Sequence, residues 1–332
     1  MAGFVQNDDG TGDDGAAGGT GGAASVFTYD GDENYHSVAI VGPNREFFVC
    51  GCQDGTLRLC DIYTGVCLLR FIGGHTRRVT AVAMSLDGER LVSASWDNTL
   101  CLWDIATGAC IQRFIGHTSN VTAVAMCFDG VHFVSASQDG TLRLWHIDTG
   151  VCVQVYEGHA GWVTAVAMRF GGRYFVSAHT NGLLCLWDIT TGNRVREFEG
   201  HTRWVTAVAM LPNEEHFVGS SVDGTHYLWE IATGNRVSQF KGPDDVRAVA
   251  MCGDEYLLST STYRTVRLWH IETWDCVRVY EGHTGIVYAV AMYPDGQHFV
   301  SASYDRTLRL WTLPDCARVF YDDVECCKAG LE

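Results

Sequence analysis

Val79-Thr80-Ala81-Val82-Ala83-Met84 is the stretch on which the reading of this chain turns, because VTAVAM begins again at Val121, Val163 and Val205. Each copy starts 42 residues after the last, and two relatives follow, RAVAM from Arg247 and YAVAM from Tyr288. A fixed period of this length marks a chain built from repeated supersecondary units. A tryptophan followed by a polar residue keeps the same beat at Trp103, Trp145, Trp187, Trp229, Trp269 and Trp311, with Cys60-Asp61 in register one unit earlier. Gly-His pairs at His75, His117, His159, His201 and His283 lead most units, which number seven.

Within a unit, apolar and polar residues alternate with period two, the pattern of half-buried strands. The second unit reads VTAVAM, turn LDGE, RLVSAS, turn WDNT, LCLWDI, turn ATGA, CIQRF. Four short strands joined by Asp/Asn/Gly turns form one antiparallel meander. Such a sheet cannot bury both faces alone, so it must stack on copies of itself. Ala81, Val82 and Ala83 suit the innermost strand, where the units crowd together.

The Gly-His and Trp-Asp marks at this period are those of the WD repeat, and residues 25–323 resemble the WD40 family. The resemblance implies an all-β fold, a seven-bladed β-propeller of four-stranded antiparallel blades. It also implies that a terminal segment supplies the last outer strand. SVFTYDGD from Ser25 and CARVFYDD from Cys316 compete for that role, and the N-terminal one is favoured because it ties the chain ends together. Residues 1–24, rich in Gly, Ala and Asp, are expected to be a disordered acidic tail, and 324–332 a short C-terminal tail.

The chain is 332 residues long with 47% apolar and 19% charged residues, a globular composition. A net charge of −16 disfavours direct nucleic-acid binding and anionic membranes. No apolar run reaches the ~18 residues of a membrane helix, and the N-terminus lacks the pattern of a secretory signal. The chain is therefore expected in the cytoplasm or nucleus, with its 14 cysteines reduced.

His, Ser, Asp and Trp recur at fixed offsets: His75, Ser93, Asp97, Trp103; His117, Ser135, Asp139, Trp145; His283, Ser301, Asp305, Trp311. Ser, His and Asp suggest a hydrolase, but a catalytic set is needed once, and this one is copied round the chain. In the family it is a hydrogen-bonded structural tetrad, so no catalytic residue is expected. The set is eroded elsewhere: Asn181 replaces Asp in unit four, Gly219 replaces Ser in unit five, and Pro243 and Tyr263 replace His and Asp in unit six. Unit one has Cys50, Asp54 and Cys60 at the Ser, Asp and Trp positions. Units one and six are expected to be the softest. Histidines and cysteines one repeat apart cannot converge on an ion, so neither metal nor cofactor is expected. Cys326-Cys327 reads as an exposed pair.

The resemblance also implies a partner-binding top face, with three positions per unit: two at the start of the inner strand and one before the turn Asp. They comprise Arg78, Thr80 and Trp96 in unit two; Asn120, Thr122 and Gln138 in unit three; and Trp162, Thr164 and Thr180 in unit four. Trp204, Thr206 and Val222 follow in unit five, Asp245, Arg247 and Thr262 in unit six, and Ile286, Tyr288 and Tyr304 in unit seven. Unit one contributes Tyr35, Ser37 and Gln53. Trp, Tyr and Arg dominate interface energetics, so the expected function is a non-enzymatic scaffold or adaptor, monomeric or within a larger complex. It would bind a protein or peptide with apolar anchors and an acidic residue near Arg78 and Arg247. The alternative is a structural subunit of a large assembly that contacts its neighbours through the sides.

Overall fold

A computed structural model describes residues 25–317 apart from 26, 32, 42–45, 86, 159–160, 170, 244 and 294. Both expected tails, His159 and Cys326-Cys327 lie outside the described residues. The chain forms seven four-stranded antiparallel sheets, six of them sequence-continuous meanders. Blade 2 runs Val79–Met84, Arg90–Ser95, Thr99–Asp104 and Cys110–Ile115 from inside outward. Blade 7 takes its outer strand from the start of the chain: Phe27–Asp30 pairs with Thr307–Thr312, Phe27 opposite Leu310. The other candidate segment begins instead with a single 3-10 turn, Asp315–Ala317.

The ring is held by what lies between blades. Each repeat tryptophan turns its indole onto an aromatic ring from the outer strand of the blade before: Trp103 on Phe71, Trp145 on Phe114, Trp187 on Tyr156, Trp311 on Tyr280, with centroids 5.5–5.7 Å apart. Tyr29 of the closure strand takes the corresponding place for blade 7, buried against Phe48 with its hydroxyl donating to the Ile62 carbonyl. Aromatic pairs add roughly 0.5–1.5 kcal/mol beyond the area they bury. The small inner-strand residues serve a second contact. Thr80 Oγ1 lies 3.1 Å from the Ala94 carbonyl of its own blade and 2.7 Å from Val121 of the next. Thr122, Thr164 and Thr206 repeat this link to Val163, Val205 and Val246. The link stops at blades 6, 7 and 1, where Arg247, Tyr288 and His36 occupy the threonine position.

In blades 2, 3 and 7 the tetrad is complete. In blade 3, His117 Nδ1 is 2.8 Å from Asp139, Nε2 is 2.7 Å from Ser135 Oγ, and Trp145 Nε1 donates to the same oxygen at 2.8 Å. Blades 2 and 7 repeat it through His75 and His283. The indole can only donate and the carboxylate only accept, so the imidazole carries its proton on Nδ1 and the serine hydroxyl donates to Nε2. Burial alone would raise Asp97, Asp139 and Asp305, but hydrogen bonds from the histidine and a threonine hold each well below the usual carboxylate range.

The eroded blades show what the missing members did. In blade 5, Gly219 leaves both His201 Nε2 and Trp229 Nε1 buried without a partner. His201 turns Nδ1 to Thr225 at 2.9 Å and stacks on Tyr227. In blade 6, Ser259 still accepts from Trp269, but with Pro243 in the histidine position a cavity of about 10 Å³ opens beside them, also lined by His226. In blade 4, His179 Nε2 meets Ser177 Oγ at 2.8 Å. Amide hydrogen exchange should be faster in the second and third strands of blades 1 and 6 than in those of blades 2 and 3. Equal protection would separate the tetrad from local stability.

Burial lowers His36 and His201 to about 4 and His226 to about 3. Unfolded histidine titrates near ~6.5. Below that pH the unfolded chain takes up protons that the folded chain refuses, so stability is full above pH ~6.5 and falls as pH drops toward ~4. His226 stands where other blades carry Leu100, Leu142 or Leu184, and Ser220, its 2.8 Å partner, stands where they carry Ala94, Ala136 or Ala178. The double variant Ser220→Ala/His226→Leu should flatten the dependence of urea unfolding between pH 4 and 6.5. An unchanged slope would exclude His226 as a source of it.

Candidate functional site

The residue that opens each inner strand and the residue that precedes the turn to the third strand are joined through the backbone. The amide of Trp96 donates to the Arg78 carbonyl, and the same bond joins Gln138 to Asn120, Thr180 to Trp162, Val222 to Trp204, Thr262 to Asp245 and Tyr304 to Ile286. Each blade thus presents two adjacent side chains on one face, spaced by the ring. In blade 3 the pair also closes on itself, with Asn120 Nδ2 2.9 Å from Gln138 Oε1. Trp162 and Trp204 meet edge to face at 5.8 Å across the boundary of blades 4 and 5, 45% and 49% exposed.

Blade 1 corrects the sequence reading. Tyr35 is 3% exposed and belongs to the core between blades 1 and 7, and Ser37 is buried as well. The register explains the shift: Tyr35 pairs with Cys52 as Val79 pairs with Ser95, so Asn34 and His36 hold the face positions. Asn34 Nδ2 donates to Gln53 Oε1 at 2.6 Å, as Asn120 does to Gln138. The signal was present, since YHSVAI aligns with VTAVAM one for one, but neither Gly-His nor Trp-Asp marks that unit. Tyr35 also reaches the place of the missing histidine: a Cβ on Gly31 would collide with its ring. The threonine positions serve the blade-to-blade link rather than an exposed face.

Across blades 7, 1 and 2 the face opens into a depression of about 550 Å³ lined by Gln53, Thr76, Arg77, Arg78, Trp96, Ile286, Tyr288 and Tyr304. The guanidinium of Arg78 lies 3.1 Å from the Trp96 ring centroid, with Tyr288 lining the same depression. Tyr288 packs on His36 at 4.5 Å and on Tyr304 at 6.3 Å. His36 Nε2 is buried without a partner. Its low pKa comes first from burial and then from the Arg78 charge. No carboxylate pairs with Arg78 among the described residues, and Arg77 stands exposed beside it. Among the described residues no His/Cys/Asp/Glu cluster could hold a metal ion, and no helix is long and apolar enough to cross a membrane.

A ring of seven meanders, closed by an N-terminal strand and locked by Trp–Ser–His–Asp tetrads, defines a WD-type propeller. The chain belongs to the WD40 family: the WD domain, G-beta repeat, matches seven times, at residues 24–61, 65–104, 108–146, 150–188, 192–230, 234–270 and 274–312. Over 71 residues, 21% of the chain, it is 39% identical to WD repeat-containing protein 44 of Xenopus laevis, covering 8% of that protein. Over 73 residues it is 27% identical to the p21-activated protein kinase-interacting protein 1-like of Xenopus laevis, covering 22% of this chain and 20% of the relative. A WD repeat-containing protein of Schizosaccharomyces pombe is 37% identical over 70 residues, 21% of this chain and 12% of its own length. The matches span no more than a fifth of these relatives. Proteins of the family generally act as protein-interaction scaffolds and are generally not enzymes.

Proposed function

We propose that this chain is a non-enzymatic scaffold that holds a peptide segment on the face carrying Arg78, Trp96, Ile286, Tyr288 and Tyr304, with an acidic residue of the segment seated on Arg78. The observation that carries this reading is a half-buried guanidinium, stacked on an indole in a large open depression, with no carboxylate opposite it among the described residues. Burying a cation without a counter-charge is costly, and an incoming carboxylate would offset that cost through paired hydrogen bonds. Arg77 and the unpartnered His36 Nε2 add a second charge and a polar group, and the tyrosines add apolar surface. Asn120, Gln138, Trp162, Trp204, Asp245 and Arg247 extend the face round the ring. Selection of a random peptide library against the folded chain tests it: enriched sequences should share an acidic residue flanked by apolar ones. Enrichment of basic sequences, or none that Arg78→Ala abolishes, would reject the reading.

The sides support a second reading, a subunit seated in a larger assembly. Leu68, Ile111, Val153, Val195, Val237 and Val277 occupy one repeated place on the outer strands of blades 1 to 6, each exposed to solvent. That aliphatic rim is what lateral neighbours would cover, and its members are spaced one blade apart rather than fused into one patch.

A further inference from the structure

Blade 1 concentrates thiols that no other blade brings together. Cys50 and Cys52 lie on its second strand, Cys60 on the third and Cys67 on the outer one. At the start of every outer strand from blade 1 to blade 6 except those of blades 4 and 5 stands a cysteine, and in blades 2, 3 and 6 the residue directly opposite it is the tetrad tryptophan: Trp103 for Cys110, Trp145 for Cys152, Trp269 for Cys276. In blade 1 that tryptophan is replaced by Cys60, so two cysteines face each other across the ladder. The pair follows a register shift between Leu59 and Cys60; residues opposite one another on a regular antiparallel pair have Cβ atoms about 4.5–5.5 Å apart, within about an ångström of the span of a disulfide. The Cys67 thiol donates to the Leu69 carbonyl at 3.6 Å and lies close enough to Cys60 for each to shift the other's pKa. Cys101 and Cys110 in blade 2 also interact but are offset along the ladder, Cys101 lying opposite Arg113.

We propose that Cys60 and Cys67 form a reversible redox pair that closes as a disulfide when the chain meets a small oxidised disulfide such as glutathione disulfide. Cys67 is exposed and Cys60 buried, which orders the chemistry. The Cys67 sulfur bonds to one sulfur of the small disulfide, its proton leaves to solvent, and the other half departs as a thiolate. The Cys60 thiolate then attacks the Cys67 sulfur, forming the intrachain bond and expelling the second half as a thiolate. Two cysteine thiols are oxidised and one small disulfide is reduced to two thiols. The surroundings favour the second step: the neighbouring Cys50 and Cys67 thiols and the Arg58 charge outweigh burial and lower the Cys60 pKa, while Cys60 and burial raise that of Cys67, which makes the first step the slower one. The bond would join the two outermost strands of a blade that lacks a complete tetrad, beside the closure strand, whose Tyr29 donates to the Ile62 carbonyl of the same blade.

The test uses the intact folded chain treated with glutathione disulfide, then denatured, alkylated and cut after arginine. Leu59 to Arg70 is released as one peptide carrying both cysteines. It should appear about 2 Da lighter and unalkylated, revert on reduction, and vanish in Cys67→Ser, while Cys276 stays free to alkylate or carries only a glutathione. Cys67 bearing a lone glutathione with Cys60 alkylated would overturn the proposal. So would a Cys50–Cys60 link joining that peptide to its neighbour, or a pair left wholly alkylated.

Discussion

Ser135→Ala should destabilise the chain by about 2–4 kcal/mol, far more than the loss of one hydroxyl suggests. Ser135 Oγ takes the indole proton of Trp145 and gives its own to His117 Nε2, and all three groups are buried. Alanine fits the space but leaves a donor and an acceptor stranded together, each costing about 1–3 kcal/mol. Urea unfolding of the variant against the parent measures it, and a loss under about 1 kcal/mol would mean that water reaches the site. The chain contains the reverse experiment. Blade 5 already carries the damage, with His201 Nε2 and Trp229 Nε1 unpartnered around Gly219. Gly219→Ser should therefore stabilise, less than Ser135→Ala costs. Its Cβ would stand 2.7 Å from Leu184 Cδ1, which must move aside.

Arg78→Ala should weaken binding of a selected acidic peptide by about 30- to 100-fold, the loss of a central charged anchor worth roughly 2–3 kcal/mol. Folding should be unchanged by circular dichroism, because no structural ion pair depends on Arg78 among the described residues. Arg78→Lys should recover only part of the affinity: a lysine keeps the charge but neither lies flat on Trp96 nor forms a two-pronged carboxylate contact. Titration by calorimetry or fluorescence gives the ratios. Trp162→Ala/Trp204→Ala reports whether the same peptide reaches blades 4 and 5. Full affinity in Arg78→Ala alongside loss in the tryptophan pair would move the anchor to the other side of the ring.

Most of the fold was legible because the repeat writes its own alignment. VTAVAM, Gly-His and Trp-Asp sit at fixed offsets, and each unit's alternation names its strands. The tetrads followed from the same register in blades 2, 3 and 7. Blade 1 lies one residue out of the expected register because it lacks both marks, which puts Asn34 and His36 on the face in place of Tyr35 and Ser37. The depression across blades 7, 1 and 2 could not be read from any unit alone. It arises where Tyr288 and His36 take the threonine positions of blades 7 and 1, and its shape depends on side chains from three units that meet only when the ring closes. His226 escaped notice for a similar reason: its polarity is matched by Ser220 six residues away, a local exchange that leaves the strand pattern intact.

The closure strand gives the chain a mechanical character. Phe27 and Leu310 form the first rung of the ladder, and the polypeptide leaves both strands at that same end. Tension applied to the two ends of the chain therefore falls on one rung at a time, peeling Phe27–Asp30 away like a zip rather than shearing four rungs together. Any partner or tether that pulls on the N-terminal segment would open the ring at low force, and would do so at blade 7, one wall of the depression that holds Arg78.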